Sequence, residues 1–158
     1  MDYQSILFIV MNTIFISYVA FIWAKYGIQQ SISESYYCLP KNWNFIFTLA
    51  LWGFALPAAI LANGDGLMFF AAAGICFVGA AAQMHQDFVR KVHLIAAISG
   101  ITLGELSIIF VHDMWWLTAI AALLFIPIAI FAKKSRIWWG EIIAFISISI
   151  ALGIGIFS

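Results

Sequence analysis

Charged residues are scarce in this chain of 158 residues. Only 9% of the residues are Asp, Glu, Lys or Arg, whereas a soluble domain has about 25%. The hydrophobic share is 65% and the mean hydropathy is +1.07. This composition excludes an ordinary soluble globular protein. Seven Lys and Arg offset seven Asp and Glu, so no excess positive charge is available for nucleic acid, and nucleic-acid binding is set aside as well.

The sequence motifs of soluble enzymes are also absent. The chain has no Walker loop, no nucleophile elbow, no HExxH helix and no haem-type histidine pair. Its two cysteines, Cys38 and Cys76, form neither a CxxC motif nor a disulfide framework. No Lys or Arg precedes the first apolar run and no Ala-x-Ala site follows it, so we expect this run to stay in the mature protein rather than act as a signal peptide.

Long apolar runs dominate the sequence instead. A membrane-spanning helix needs about 20 mostly apolar residues at a rise of about 1.5 Å each. Six runs of about this length are separated by polar clusters, at residues 5–24, 44–63, 67–83, 93–111, 114–132 and 139–157. They predict an all-α, polytopic integral membrane protein in which residues 1–158 form one domain, a bundle of six transmembrane helices.

The basic residues predict how this bundle is oriented. They lie only in the first, third and fifth loops: Lys25, Lys41, Arg90, Lys91, Lys133, Lys134 and Arg136. Because positive charge is retained on the cytoplasmic side, these three loops are predicted to be cytoplasmic and both termini non-cytoplasmic. We expect the protein in a bacterial inner (plasma) membrane, with membrane lipids as its partners.

Small residues and prolines suggest how the helices pack. Ala96, Gly100 and Gly104 recur at four-residue spacing and form a ridge that predicts close contact with the Ala- and Gly-rich third run. Alternatively, Gly100 and Gly104 form the seam of a homo-oligomer, and the protein is a non-catalytic membrane interaction protein. Pro57 and Pro127 occupy corresponding places in the second and fifth runs. They are typical either of an inverted repeat with broken helices around a central site, or of chance, because proline is common in membrane helices.

Glu105 is the most informative single residue. An acid near the centre of a spanning helix costs about 2.5–3.5 kcal/mol to insert, so we expect Glu105 to be protonated or hydrogen-bonded to a partner such as Asn12 or Ser147. This predicts either a polar contact between helices or a polar site that binds or moves a lipid or small solute without covalent chemistry. The candidate ligand-binding residues are Glu105, Asn12, Thr102, His112, Pro57 and Pro127.

A second polar cluster is predicted at the cytoplasmic edge. It consists of Ser31, Ser33, Glu34, His85, Asp87 and His93. The residue types suit acid–base chemistry or a metal, with His85, Asp87 and His93 as weak ligand candidates, but their spacing matches no zinc motif. No cofactor is expected. The alternative is a bound zinc ion at this cluster, which would make the protein a metal-dependent membrane lipid hydrolase.

The first loop, residues 25–43, mixes aromatic, aliphatic and polar residues. We expect it to lie along the cytoplasmic membrane interface, either as a linker whose aromatic rings lie in the headgroup layer or as a binding or gating segment. Glu141, near the start of the sixth run, is expected to pair with Lys133, Lys134 or Arg136, or to stabilise its helix N-terminus.

Two family resemblances accompany these motifs. Ser31-Ile32-Ser33, Tyr36-Tyr37, the Asp65 turn and His93 resemble a group of uncharacterised six-helix bacterial membrane proteins similar to the DRAM/Frag/Sfk-like group; this implies a six-helix fold and no settled activity. The chain also resembles the CREST superfamily of alkaline ceramidases and progestin-type receptors. That resemblance implies a zinc site using Ser33 or Ser35, Asp87 and His93. The superfamily draws two further histidines from a late helix, whereas this chain has none after His112.

Overall fold

The protein is almost entirely helical. The computed structural model describes residues 2–83 and 86–157, which contain helices and turns and no strand. The helices are α1 (Tyr3–Tyr26), α2 (Ser35–Cys38), α3 (Phe45–Leu61), α4 (Gly66–Ala80), α5 (Asp87–Phe110), α6 (Trp115–Phe131) and α7 (Arg136–Phe157), with a 3-10 turn at Lys41–Trp43. Each of the six predicted apolar runs coincides with one of the six longer helices.

Four of these helices are long and apolar enough to cross a membrane. They are α1, the segment Lys41–Leu61 that ends with α3, α5 and α7. The helices α4 and α6 are apolar but shorter, at 15 and 17 residues. Large apolar side chains cover the outside of the molecule, and Phe131 on α6 is 84% exposed. Such a surface fits a protein integral to a membrane, because water would not tolerate so much exposed apolar area.

Five helices close into a ring, and α6 lies outside it. The helix α1 packs on α3 and α7, α4 packs between α3 and α5, and α5 also packs on α7. An aromatic cluster fills the interior, where Phe15 of α1 stacks on Phe145 of α7 with ring centroids 4.2 Å apart and both contact Phe54 of α3. The helix α6 contacts α5 and α7 and contains one buried residue, Leu117.

The glycine ridge of α5 packs against α4 within this ring. Gly100 and Gly104 of α5 are both buried and lie against Ala71 of α4, with Gly74 of α4 directly opposite Gly100. The predicted contact between the third and fourth runs is therefore present, and the closeness of the two backbones explains the small residues on both helices. A homo-oligomer seam through Gly100 and Gly104 stays a prediction, and it would require this packing to open.

The prolines do not break their helices. Both α3 and α6 continue through Pro57 and Pro127. The two helices also differ in their surroundings, because α3 contributes seven buried residues to the interior whereas α6 contributes one. Broken helices, one of the two explanations left open for the prolines, are therefore not found at Pro57 or Pro127.

Two further expectations are corrected by the packing. The helix α5 begins at Asp87, six residues before the predicted start of the fourth run at His93, because the polar first turn continues the same helix beyond its apolar part. Trp138 falls next to the start of the sixth run, where the preference of indole for the headgroup layer predicts an interfacial position, but it is buried with 1% of its surface exposed.

Candidate functional site: a polar pocket under the first loop

The first loop folds into one end of the helix ring. Ile32 is 2% exposed, Ser35 is fully buried, and Leu39 is buried beside them. The short helix α2 supplies Ser35. The loop thus packs Ile32 and Leu39 against the helices, which removes their apolar surface from water. That the loop lies along the cytoplasmic interface stays a prediction.

Hydrogen bonds from α1 and α7 hold the loop in place. The backbone N–H of Ile32 donates to Glu141 Oε2 of α7 at 2.5 Å, and Trp138 N donates to Gln30 O at 3.0 Å. The hydroxyls of Tyr18 and Ser35 lie 2.5 Å apart, and Ser35 Oγ also donates to the Ile32 carbonyl. Glu141 was expected to pair with a nearby lysine or arginine or to stabilise its helix N-terminus; the partner found is a backbone amide 109 residues away.

Ser33 and His93 meet beneath the loop. Ser33 Oγ lies 2.8 Å from His93 Nε2, and His93 Nδ1 lies 3.0 Å from the Ala81 carbonyl oxygen. A carbonyl only accepts hydrogen bonds, so Nδ1 donates the proton to it. In the neutral ring, Nε2 is then the acceptor, and the Ser33 hydroxyl donates to it. Both residues are buried, at 5% and 3% exposure.

A polar pocket of about 560 Å³ opens beside this pair. Its polar lining residues are Gln30, Ser31, Ser33, Glu34, Arg90, His93 and Glu141. Arg90 and Glu34 place a cation and a carboxylate in the same pocket, yet no ion pair of Arg90 is found within residues 2–83 and 86–157. Arg90 and Glu34 form no ion pair with each other. Four members of the predicted cytoplasmic-edge cluster share this pocket: Ser31, Ser33, Glu34 and His93.

An apolar crevice adjoins the polar pocket. The crevice has a volume of about 430 Å³, lies between α5, α6 and α7, and shares the lining residues Ile101, Ile137 and Glu141 with the pocket. Glu105 lies in this crevice, where its Oε2 accepts a hydrogen bond of 2.6 Å from Thr118 Oγ1 of α6. The two neighbouring cavities, taken together as the combined site, have charged residues at the loop end and an apolar lining beside α5.

The other residues proposed to accompany Glu105 lie elsewhere. Asn12 donates to Phe8 O of its own helix and lines a separate groove between α1 and α7. Thr102 is exposed, Pro57 lines a groove between α1 and α3, and Pro127 is exposed on α6. The expected bond from Asn12 or Ser147 to Glu105 is thus replaced by the bond from Thr118.

His112 belongs to a cluster at the opposite end of the ring. Its Nε2 lies 3.5 Å from Asp65 Oδ2, and Ser107 Oγ donates to the same Asp65 oxygen. Asp65 Oδ1 caps the N-terminus of α4 by accepting from Met68 N at 3.1 Å. This cluster ties the turn between α3 and α4 to the end of α5, at a distance from the Glu105 crevice that His112 was expected to share.

The proposed metal ligands are not gathered in the described part of the chain. Asp87 lies in the exposed first turn of α5, and His93 follows six residues later, about 9 Å along the axis and on another face. Both nitrogens of His93 already have partners. No group of three or more His, Cys, Asp or Glu able to hold a metal occurs among residues 2–83 and 86–157, and His85 lies outside them. Zinc at this edge stays a prediction.

Three members of the combined site are not evident from the sequence in this role. Arg90 indicates only the orientation of the bundle, Glu141 suggests a local salt bridge, and no pattern marks Thr118. The sequence could have indicated a buried partner for Glu141, because an acid inside a long apolar run needs a hydrogen-bond or charge partner, as Glu105 does. Comparison of the chain with protein-family models, curated proteins and solved structures finds no match.

Proposed function

We propose that the protein is an integral membrane protein that binds a phospholipid, with the headgroup in the polar pocket and an acyl chain in the adjoining crevice. The observation that carries the proposal is that the two cavities are neighbours, with Ile101, Ile137 and Glu141 lining both. A site that is charged at one end and apolar along the rest matches the chemistry of a membrane lipid rather than that of a small polar solute.

The membrane arrangement follows the charge pattern of the sequence. We take α4 and α6 to cross the membrane with the four longer helices, since short apolar helices are accommodated by local thinning of the bilayer. The first, third and fifth loops then face the cytoplasm of a bacterial cell, and the polar pocket opens at the cytoplasmic headgroup layer of the inner membrane. This depth suits a lipid that enters sideways from the same leaflet.

The charges in the pocket favour a zwitterionic headgroup. Arg90 offers the fork of N–H donors that binds a phosphate, and Glu34 offers a carboxylate for an ammonium group. Because these two side chains do not form an ion pair with each other, a ligand that carries both charges can satisfy both. An aminophospholipid such as phosphatidylethanolamine has this arrangement.

Glu105 has a supporting role in this proposal. With the Thr118 hydroxyl bonded to it, the carboxyl group lies on the wall of the acyl-chain crevice and supplies its main polar contact. In this proposal, the expected polar intramembrane site around Glu105 is the inner end of a longer lipid-binding site. Binding at this site does not require the protein to move the lipid between leaflets.

A pair of neighbouring variants tests the headgroup contact. Arg90 lines the pocket and Lys91 does not, so Arg90→Ala and Lys91→Ala remove the same charge from adjacent positions. Loss of a charge-assisted contact of about 1.5–3 kcal/mol predicts that Arg90→Ala weakens binding of phosphatidylethanolamine about 10- to 100-fold, with Lys91→Ala close to wild type. Native mass spectrometry in detergent with added lipid measures both.

A third variant tests the headgroup class. Glu34→Gln removes the carboxylate and should weaken phosphatidylethanolamine more than phosphatidylglycerol, which has no ammonium group. Equal weakening by Arg90→Ala and Lys91→Ala would contradict a phosphate contact in the pocket. Equal binding of both lipids by wild type and Glu34→Gln would contradict the zwitterionic selectivity.

A further inference from the structure

The arrangement around Ser33 has a chemical consequence beyond binding. A serine hydroxyl becomes a nucleophile when a neighbouring base accepts its proton and a third group holds that base in the right tautomer. Ser33 Oγ is 2.8 Å from His93 Nε2, within the range for such proton transfer, and the Ala81 carbonyl at 3.0 Å from Nδ1 fixes the ring. The hydrogen bond between Ser33 and His93 also ties the first loop to α5. A purely structural bond would not require Ser33 to line a ligand pocket, as it does here.

The geometry points to an acyl-ester cleaving site in which Ser33 is the nucleophile and His93 the general base. This inference rests on the proposed function, because its substrate is the carboxylic ester of the phospholipid in the same pocket. In a glycerophospholipid, the ester carbonyl joins the headgroup-bearing glycerol to the acyl chain. Ser33 and His93 line the pocket together with the charged Arg90 and the apolar Ile101. In the proposed complex, Arg90 contacts the headgroup and Ile101 contacts the acyl chain.

The reaction balances with water as the only co-reactant. Ser33 Oγ bonds to the ester carbonyl carbon while its proton passes to His93 Nε2. The bond from that carbon to the glycerol oxygen then breaks, and the leaving alcohol takes the proton from Nε2. Water attacks the acyl-serine, His93 accepts a water proton and returns it to Ser33 Oγ, and a fatty acid and a lysophospholipid are released.

Covalent labelling tests the nucleophile independently of lipid binding. The full chain in lipid nanodiscs is treated with a fluorophosphonate, which modifies activated serines, and the modified peptide is identified by mass spectrometry. We expect the adduct on Ser33. We expect His93→Gln to slow labelling by at least about 100-fold, the usual contribution of a general base. The control is Ser99→Ala, because Ser99 lies on α5 like His93 and donates to the carbonyls of Ile95 and Ala96 in its own helix.

The pH profile separates catalysis from loop anchoring. In wild type the labelling rate should rise with pH along a single titration, and in His93→Gln this dependence should vanish even though the melting temperature shows a folded protein. Ser33→Ala should abolish both the adduct and the hydrolysis of p-nitrophenyl butyrate. A folded wild-type protein without an adduct on Ser33, or with equal rates in His93→Gln, would overturn the inference.

The lipid-binding measurement keeps the two proposals distinct. If phosphatidylethanolamine binds with the expected dependence on Arg90 while Ser33 stays unmodified, the nucleophile is wrong and the binding site holds. If Ser33 is modified and His93 is required while Arg90→Ala leaves lipid binding unchanged, the dyad holds and the headgroup contact is wrong.

Discussion

Adding one methyl group at Gly74 should push α4 away from α5. A Cβ atom at this position would lie 2.9 Å from the Ala96 carbonyl oxygen, 2.9 Å from Gly100 Cα and 3.1 Å from Gly100 N. All three atoms belong to the backbone of α5, so no side chain can rotate away. An ordinary contact between such atoms is about 3.5–4.0 Å, so the helices must separate by about 0.5–1 Å.

That separation affects the whole interface between the two helices. Helices in lipid gain little from apolar burial against each other, and close packing is the main attraction that the shift would weaken. Overpacking a tight contact costs about 1–3 kcal/mol, and the better helix propensity of alanine returns up to about 1 kcal/mol. We therefore expect Gly74→Ala to lower the free energy of unfolding by about 1–2 kcal/mol.

Two other glycines of α4 and α5 serve as comparisons for the loss of stability expected in Gly74→Ala. A Cβ atom at Gly66, the first residue of α4, would have nothing within 4 Å, whereas one at Gly100 would lie 3.2 Å from the Ala71 carbonyl oxygen. Thermal unfolding in detergent, followed by circular dichroism, should rank the variants Gly66→Ala, Gly100→Ala and Gly74→Ala in order of falling melting temperature. A Gly74→Ala protein as stable as Gly66→Ala would refute the argument that backbone contact decides this interface.

Three further predictions concern the loop, the far-end cluster and the free thiol. Glu141→Leu leaves the Ile32 N–H without its acceptor, at a cost of about 1–3 kcal/mol, so trypsin should cleave after Lys41 faster than in Glu141→Gln, which keeps an acceptor. Asp65→Ala should lower the melting temperature more than Asp65→Asn, because asparagine still caps α4. Burial and the neighbouring Glu34 carboxylate raise the pKa of the Cys38 thiol, so maleimide should modify Cys38 slowly at pH 7. The rate of modification should increase with pH, and it should be higher in Glu34→Gln than in wild type. An unchanged rate in Glu34→Gln would contradict the effect of the Glu34 charge.

The sequence by itself determined the number and position of the long helices. Apolar runs of about 20 residues are a local property, and the boundaries of the six helices fall within a few residues of the predicted ones except at the start of α5. The contact of Gly100 and Gly104 with the third run was also predictable, because only small residues let two helices approach closely.

Only the tertiary structure decided which polar residues meet. The bond from Ile32 to Glu141 joins residues 109 apart in the chain, and Ser33 meets His93 across 60 residues. Glu105 pairs with Thr118 because α6 packs outside the ring beside α5, an arrangement that hydropathy does not encode. A hydrophobic pattern specifies that a helix exists and which face avoids water, but in a membrane both the lipid and the protein interior accept apolar side chains. The neighbours of each helix, and with them the polar pocket, therefore depend on detailed packing that no local pattern specifies.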